Sequence, residues 1–192
     1  MAGKKNTGLI AVGIIVALIV ISAIWFVGQR NRLITLEEGV DAAWSEIDNQ
    51  LQRRSDLIPN LVATVQGIAD QEQEVFGQIA NARARLAGAD TVGETAESYA
   101  ELQGALSRLL VIVENYPVLR SNENFMRLQD ELAGTENRIA VARQRYNETV
   151  RRFNTRIRLF PTSMVASRLG LEEKEYFEIP EEARQVPQVN FE

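Results

Sequence analysis

The chain has 192 residues, enough for one domain of ordinary size plus an anchor. It contains neither cysteine nor histidine, which excludes disulfides, thiol nucleophiles, thiolate or imidazole metal sites and every triad with a histidine base. Its formal charge is −5, more acidic still once Lys4 and Lys5 ahead of the apolar run are set aside, so nucleic acid is not an expected partner.

Residues 1–7 form a short polar start, and residues 8–27 follow without a single charge, Ser22 being the only hydroxyl among them. At 1.5 Å per residue this run reaches about 30 Å, the thickness of a bilayer's hydrocarbon core. Trp25 and Phe26 near its end are residues that favour the membrane interface. Ile21-Ser22-Ala23 would pass as a signal-peptidase site, but the apolar run continues through Val27, which favours a retained transmembrane helix. Lys4 and Lys5 on one flank and Arg30 and Arg32 on the other leave orientation undecided by the positive-inside rule.

Residues 28–160 read as four long helices. Leu33, Leu36, Val40, Trp44, Ile47 and Leu51 follow one another in steps of three or four, so they share one face of a helix over 29–54 that continues from the span. Pro59 predicts an interruption, with Asp56 capping a second helix over 57–86 and a hairpin between the two. That second helix would turn Leu61, Val65, Ile68, Val75 and Ile79 inward. The stretch 87–93 carries turn-forming residues. A third helix over 94–115 would bury Tyr99, Leu102, Leu106, Leu109 and Val113, ending before Pro117. The fourth, over 122–158 with Ser121 as its cap, is the most regular. Phe125, Leu132, Ile139, Tyr146, Phe153 and Phe160 recur every seven residues, supplemented by Leu128, Val150 and Ile157, the pattern of continuous helix packing.

The predicted fold is therefore all-α: an antiparallel up-and-down four-helix bundle with an N-terminal transmembrane helix continuous with its first helix. Residues 161–192 form a tail, with a short helix over 163–169 and Tyr176, Phe177 and Phe191 as its attachment points. Pro180 and Pro187 keep the end of the tail irregular.

Polar side chains offer one candidate site. Glu136, Arg143, Asn147 and Asn154 form a stripe about 70° around the fourth helix from its apolar face. Gln50, Arg53, Arg54 and Asn60 stand where they could meet it. Such a group could line a polar cleft, but polar networks also fix register in bundles, and no nucleophile accompanies this one; the register reading is preferred. Di-iron bundles use Glu-x-x-His pairs, which a chain without histidine cannot supply. No calcium-loop or phosphate-loop spacing occurs, and acids along helix faces usually form a solvated surface, so no cofactor or metal is expected. Gly13 and Ala17 make a small-xxx-small pair, a weak dimerisation signal.

Several strings in fixed order carry a resemblance. They are Ala43-Trp44-Ser45, Gln50-Leu51, and Arg53-Arg54-Ser55-Asp56-Leu57-Ile58-Pro59-Asn60-Leu61-Val62. Further along come Glu114-Asn115-Tyr116-Pro117, Asn122-Glu123-Asn124-Phe125, Thr135-Glu136-Asn137-Arg138-Ile139, Arg143-Gln144-Arg145-Tyr146-Asn147 and Phe160-Pro161. Together they resemble the bacterial LemA family over nearly the whole chain, with Ser55 standing where an aromatic is more usual. The resemblance implies a single-pass protein of the bacterial inner membrane with a helical bundle and no established catalytic activity. It also implies proximity to membrane proteases and envelope-stress proteins, and, for one branch, to membrane-compartment formation. The functional expectation is a membrane-anchored scaffold or adaptor that binds the bilayer and a protein partner or further copies of itself. A membrane-organising protein acting by self-assembly is the second expectation, and a carboxylate-based metal-binding protein or enzyme the third.

Overall fold

The computed structural model describes residues 3–69 and 71–178, with side chains from residue 8 onward. Six helices follow one another: α1 (Gly3–Gln66), α2 (Gln73–Ala87), α3 (Val92–Val113), α4 (Pro117–Arg120), α5 (Glu123–Arg158) and α6 (Thr162–Leu169). The described residues contain no strand, so the fold is all-α. The end of the tail, with Pro180, Pro187 and Phe191, lies outside the described residues.

Helix α1 runs for 64 residues, from the apolar segment into the folded part without a break, as the sequence predicts. The predicted hairpin at 54–57 does not form. Asp56 lies inside α1 rather than at a cap, Pro59 is within the helix, and the chain turns only after Gln66, so α2 begins at Gln73 instead of 57. The reason is a contact from another helix. A proline lacks the N–H that would bond the carbonyl four residues earlier, here that of Ser55. Arg83 of α2 supplies a donor in its place, its Nε reaching the Ser55 carbonyl at 3.1 Å and the Ser55 hydroxyl at 2.9 Å. Meanwhile Ile58, Leu61 and Val65 keep the apolar face buried on both sides of the proline.

Two other ends shift for capping reasons. Helix α3 starts at Val92 because Thr91 and Glu94 form a capping box: Glu94 N–H donates to Thr91 Oγ1 at 3.1 Å, and Thr91 N–H to the Glu94 carboxylate at 3.3 Å. At α5 the cap is Asn122, not Ser121. Asn122 Oδ1 accepts the Phe125 N–H at 3.1 Å, while the Ser121 hydroxyl turns back to the carbonyls of Pro117 and Val118. Helix α6 ends at Gly170, whose φ of 69° is accessible to glycine at little strain.

The chain falls into two compact units, one formed by residues 1–41 and 149–174, the other by 42–148 and 175–192. In the second, one hydrophobic core draws on α1 (Ile58, Leu61, Val65), α2 (Phe76, Ile79), α3 (Leu102, Leu106, Leu109), α4 (Leu119) and α5 (Phe125, Leu128, Leu132). All five residues predicted to turn inward from the third helix are buried, whereas Ile68 lies at the turn and is exposed. In the first unit Leu33, Val150, Phe153, Ile157 and Val165 are buried. Phe160, predicted to continue the heptad face, is instead 80% exposed because α5 has already ended at Arg158.

Candidate functional site

The polar centre of the second unit is Arg54, a buried guanidinium on α1. Its Nη1 lies 3.0 Å from the Glu136 carboxylate and 3.0 Å from the Leu132 carbonyl, both on α5. Its Nη2 donates to Gln103 Oε1 on α3 at 2.6 Å. Tyr99, one turn before Gln103, donates its hydroxyl hydrogen to Glu136 in a short hydrogen bond and accepts one from Gln103 Nε2 at 3.3 Å. The guanidinium carbon also stands 6.0 Å from the Tyr99 ring centre. One arginine thus ties α1 to both α3 and α5.

Burial, the hydrogen bond to Glu136 and the charge of that carboxylate push the Tyr99 phenol well above its ordinary range; Arg54 and Arg143 oppose this more weakly. At neutral pH the phenol is a hydrogen-bond donor and not a base. Glu136 accepts from both Arg54 and Tyr99 through one oxygen, Oε2, so that oxygen is committed to the network while the side chain as a whole is 36% exposed. The cluster can hold three helices in register, but it presents no activated nucleophile.

The remaining expected residues disperse. Gln50 donates along its own helix to Glu46 at 3.0 Å, while Arg53 and Asn60 face solvent. Arg143 is half-buried and near enough to Tyr99 to act on it electrostatically, but has no hydrogen-bond or ion-pair partner among the described residues. The two asparagines bind the tail. Asn147 exchanges both amide hydrogen bonds with the backbone of Phe177, at 3.1 and 2.9 Å. Asn154, in the first unit, does the same with Lys174, at 2.9 Å each way. Lys174 also pairs with Glu37 at 3.0 Å.

Phe177 is buried, its ring 6.0 Å from Trp44 and 6.3 Å from Tyr99, and Trp44 packs on Tyr146 at 5.4 Å. Phe177 is thus an attachment point as the sequence predicts, whereas Tyr176 is exposed. Sequence reasoning missed Tyr99 and Gln103 as members of the polar centre. Tyr99 reads as core by position, and only its hydroxyl, with an amide four residues on, signals a second role. Beside this centre α1 and α2 leave a cleft of about 490 Å³, with Asp48, Asp56, Arg83 and Asp90 among its lining residues. Among the described residues no three carboxylates converge as metal ligands.

An all-helical fold with an exposed apolar segment long enough to cross a bilayer defines a membrane-associated helical protein. The profile of the LemA family matches residues 43–191, and the chain belongs to that family. Among curated proteins it is similar to magnetosome protein MamQ 2 of Paramagnetospirillum magneticum, 25% identical over 176 residues, covering 78% of this chain and 65% of that protein. It is likewise similar to magnetosome protein MamQ of Magnetospirillum gryphiswaldense, 26% identical over 196 residues, covering 86% of this chain and 72% of the relative. The chain therefore spans slightly less than two thirds of the Paramagnetospirillum relative.

Proposed function

We propose that this protein is a membrane-anchored scaffold or adaptor of the bacterial inner membrane, crossing it once, with no catalytic step of its own. In this reading the second half of α1 with α2, α3 and α5 forms an antiparallel four-helix bundle that presents its surface to a protein partner or to further copies. The observation that carries it is the polar centre in which Arg54, Glu136, Tyr99 and Gln103 hydrogen-bond to one another across three helices. Helix α1 runs without a break from the apolar segment to Gln66, so the helix that carries the anchor also contributes Arg54 to that centre.

Cross-linking in native membranes followed by purification of the full chain tests the proposal. A stable oligomer or a defined membrane-protein partner is expected. A lone monomer that captures nothing overturns it.

The magnetosome proteins among the relatives favour a second reading, in which copies of the chain assemble on the bilayer and organise it. Electron microscopy of vesicles carrying the protein at high density separates the two. Altered vesicle size or shape supports assembly on the bilayer, and vesicles indistinguishable from empty ones remove that reading.

A further inference from the structure

From Thr149 to Leu171 the chain carries five arginines, at 151, 152, 156, 158 and 168, and no acidic residue, within a protein whose overall charge is negative; Glu172 and Glu173 follow directly, and Glu173 pairs with Arg158 at 3.6 Å. This stretch belongs to the same compact unit as the apolar segment. Its level relative to that segment is set by one contact: Arg156 Nη2 donates to Gln29 Oε1 at 2.7 Å, and Gln29 is the second residue beyond Val27. Within this unit α5 runs antiparallel to α1, since Gly39 adjoins Thr149 where Gln29 meets Arg156. Past Arg156 the chain therefore heads toward the end of the apolar segment, bringing Leu159 and Phe160 to about the level of Trp25 and Phe26. Leu159, Phe160 and Met164 are 52%, 80% and 66% exposed, an apolar rim that the described residues leave largely uncovered. Just above, Arg151, Arg152, Arg156 and Leu159 line an open hollow of about 390 Å³.

We infer that this corner, the end of α5 with the start of α6, is a lipid-docking surface that binds anionic phospholipid headgroups of the same bilayer that holds α1. The inference rests on the membrane-anchored reading above. The chemistry is complementary at each depth. The exposed guanidinium groups of Arg151 and Arg152 supply positive charge toward lipid phosphates at the headgroup level, and the Leu159–Phe160–Met164 rim enters the interface, where apolar and aromatic side chains are favourable. The headgroup layer extends several Å beyond the hydrocarbon on each side, within reach of arginine side chains one or two turns above Gln29. Docking of this kind fixes the tilt of α1 and gathers anionic lipid around the protein.

The full chain has no cysteine, so Met164→Cys gives a unique site for an environment-sensitive fluorophore. The labelled protein is reconstituted in phosphatidylcholine vesicles containing nitroxide-labelled phosphatidylglycerol or, separately, nitroxide-labelled phosphatidylcholine. The same label at Met126, near the start of α5, serves as control. Both lipids should quench residue 164 and neither should quench residue 126, with phosphatidylglycerol quenching preferentially. Arg151→Gln with Arg152→Gln should reduce that preference by about fivefold per arginine, and Phe160→Ser should weaken quenching by both lipids. All three side chains are exposed, and an unchanged helical circular dichroism spectrum verifies the fold. A chain that floats with the vesicles yet shows no quenching at 164, or no phosphatidylglycerol preference, overturns this inference alone. So does a preference that survives the arginine substitutions, or one abolished by millimolar inorganic phosphate at constant ionic strength. A chain that fails to float overturns the anchored reading and this inference with it.

Discussion

Arg54 and Glu136 form one ion pair, yet their environments differ: the Arg54 side chain is 6% exposed and that of Glu136 36%. The two ends should therefore respond unequally to substitution. Arg54→Ala removes a packed side chain and leaves Gln103, the Leu132 carbonyl and Glu136 without their donor, which should destabilise the protein by about 2–4 kcal/mol. Glu136→Gln leaves a neutral acceptor in place at a partly hydrated position, and about 1 kcal/mol is expected. Urea unfolding of the full chain in detergent measures both; equal effects would place the pair at the surface. Tyr99 makes a separate prediction. Its phenol is held above its unfolded value, so its contribution is fully present below the unfolded pKa of about 10. As pH rises past that point the unfolded chain loses the proton first, and stability falls by at most about 1.4 kcal/mol per pH unit. Between pH 9 and 11 the wild type should lose stability faster than Tyr99→Phe, in which this loss is absent.

Pro59 shows how one element depends on another. The carbonyl released by its missing N–H is taken by Arg83, so continuity of α1 at this point rests on a side chain from α2. Arg83→Met should cost about 1–3 kcal/mol by leaving the Ser55 carbonyl and hydroxyl without that donor. In a Pro59→Ala background the restored N–H can serve the carbonyl, and the cost of Arg83→Met should fall by about 1 kcal/mol. A double-mutant cycle by urea unfolding reads this coupling, and strict additivity would refute the compensation. The asparagines of α5 make a related point. Both were legible as polar positions beside an apolar stripe, but an asparagine that clamps the backbone of a distant segment looks, in sequence, like one that faces solvent. Nothing local distinguishes them, because the partner is a main-chain N–H and C=O with no sequence signature of its own.

Across the whole molecule, the apolar segment sets where the protein resides. Side chains from Leu9 to Val27 have no protein packed over most of them, a surface that water disfavours and hydrocarbon accepts. Ile14→Arg with Ala17→Arg should remove the chain from the membrane fraction, since each arginine at mid-span costs about 2.5–3.5 kcal/mol of insertion. The measurement is resistance to alkaline carbonate extraction: wild type retained, double variant released. Retention of the double variant would mean that surfaces other than this segment hold the protein to membranes.

Periodicity determined that the chain is helical and which residues of α3 and α5 are buried, because neighbours three, four and seven residues apart leave a repeating apolar stripe. The length of one uncharged apolar run determined that a segment can cross a bilayer. Tertiary structure decided the rest. It carried α1 on to Gln66 instead of turning the chain at 54–57, because the donor that satisfies Ser55 comes from 28 residues away. It joined Arg54 to Glu136, 82 residues later, and drew Tyr99 from the core into their hydrogen bonding. It also set Arg156 of α5 beside Gln29. The physical reason is common to these cases: a buried polar group must find a partner wherever the fold brings one within about 3 Å, and proximity in space leaves no periodic mark on the sequence.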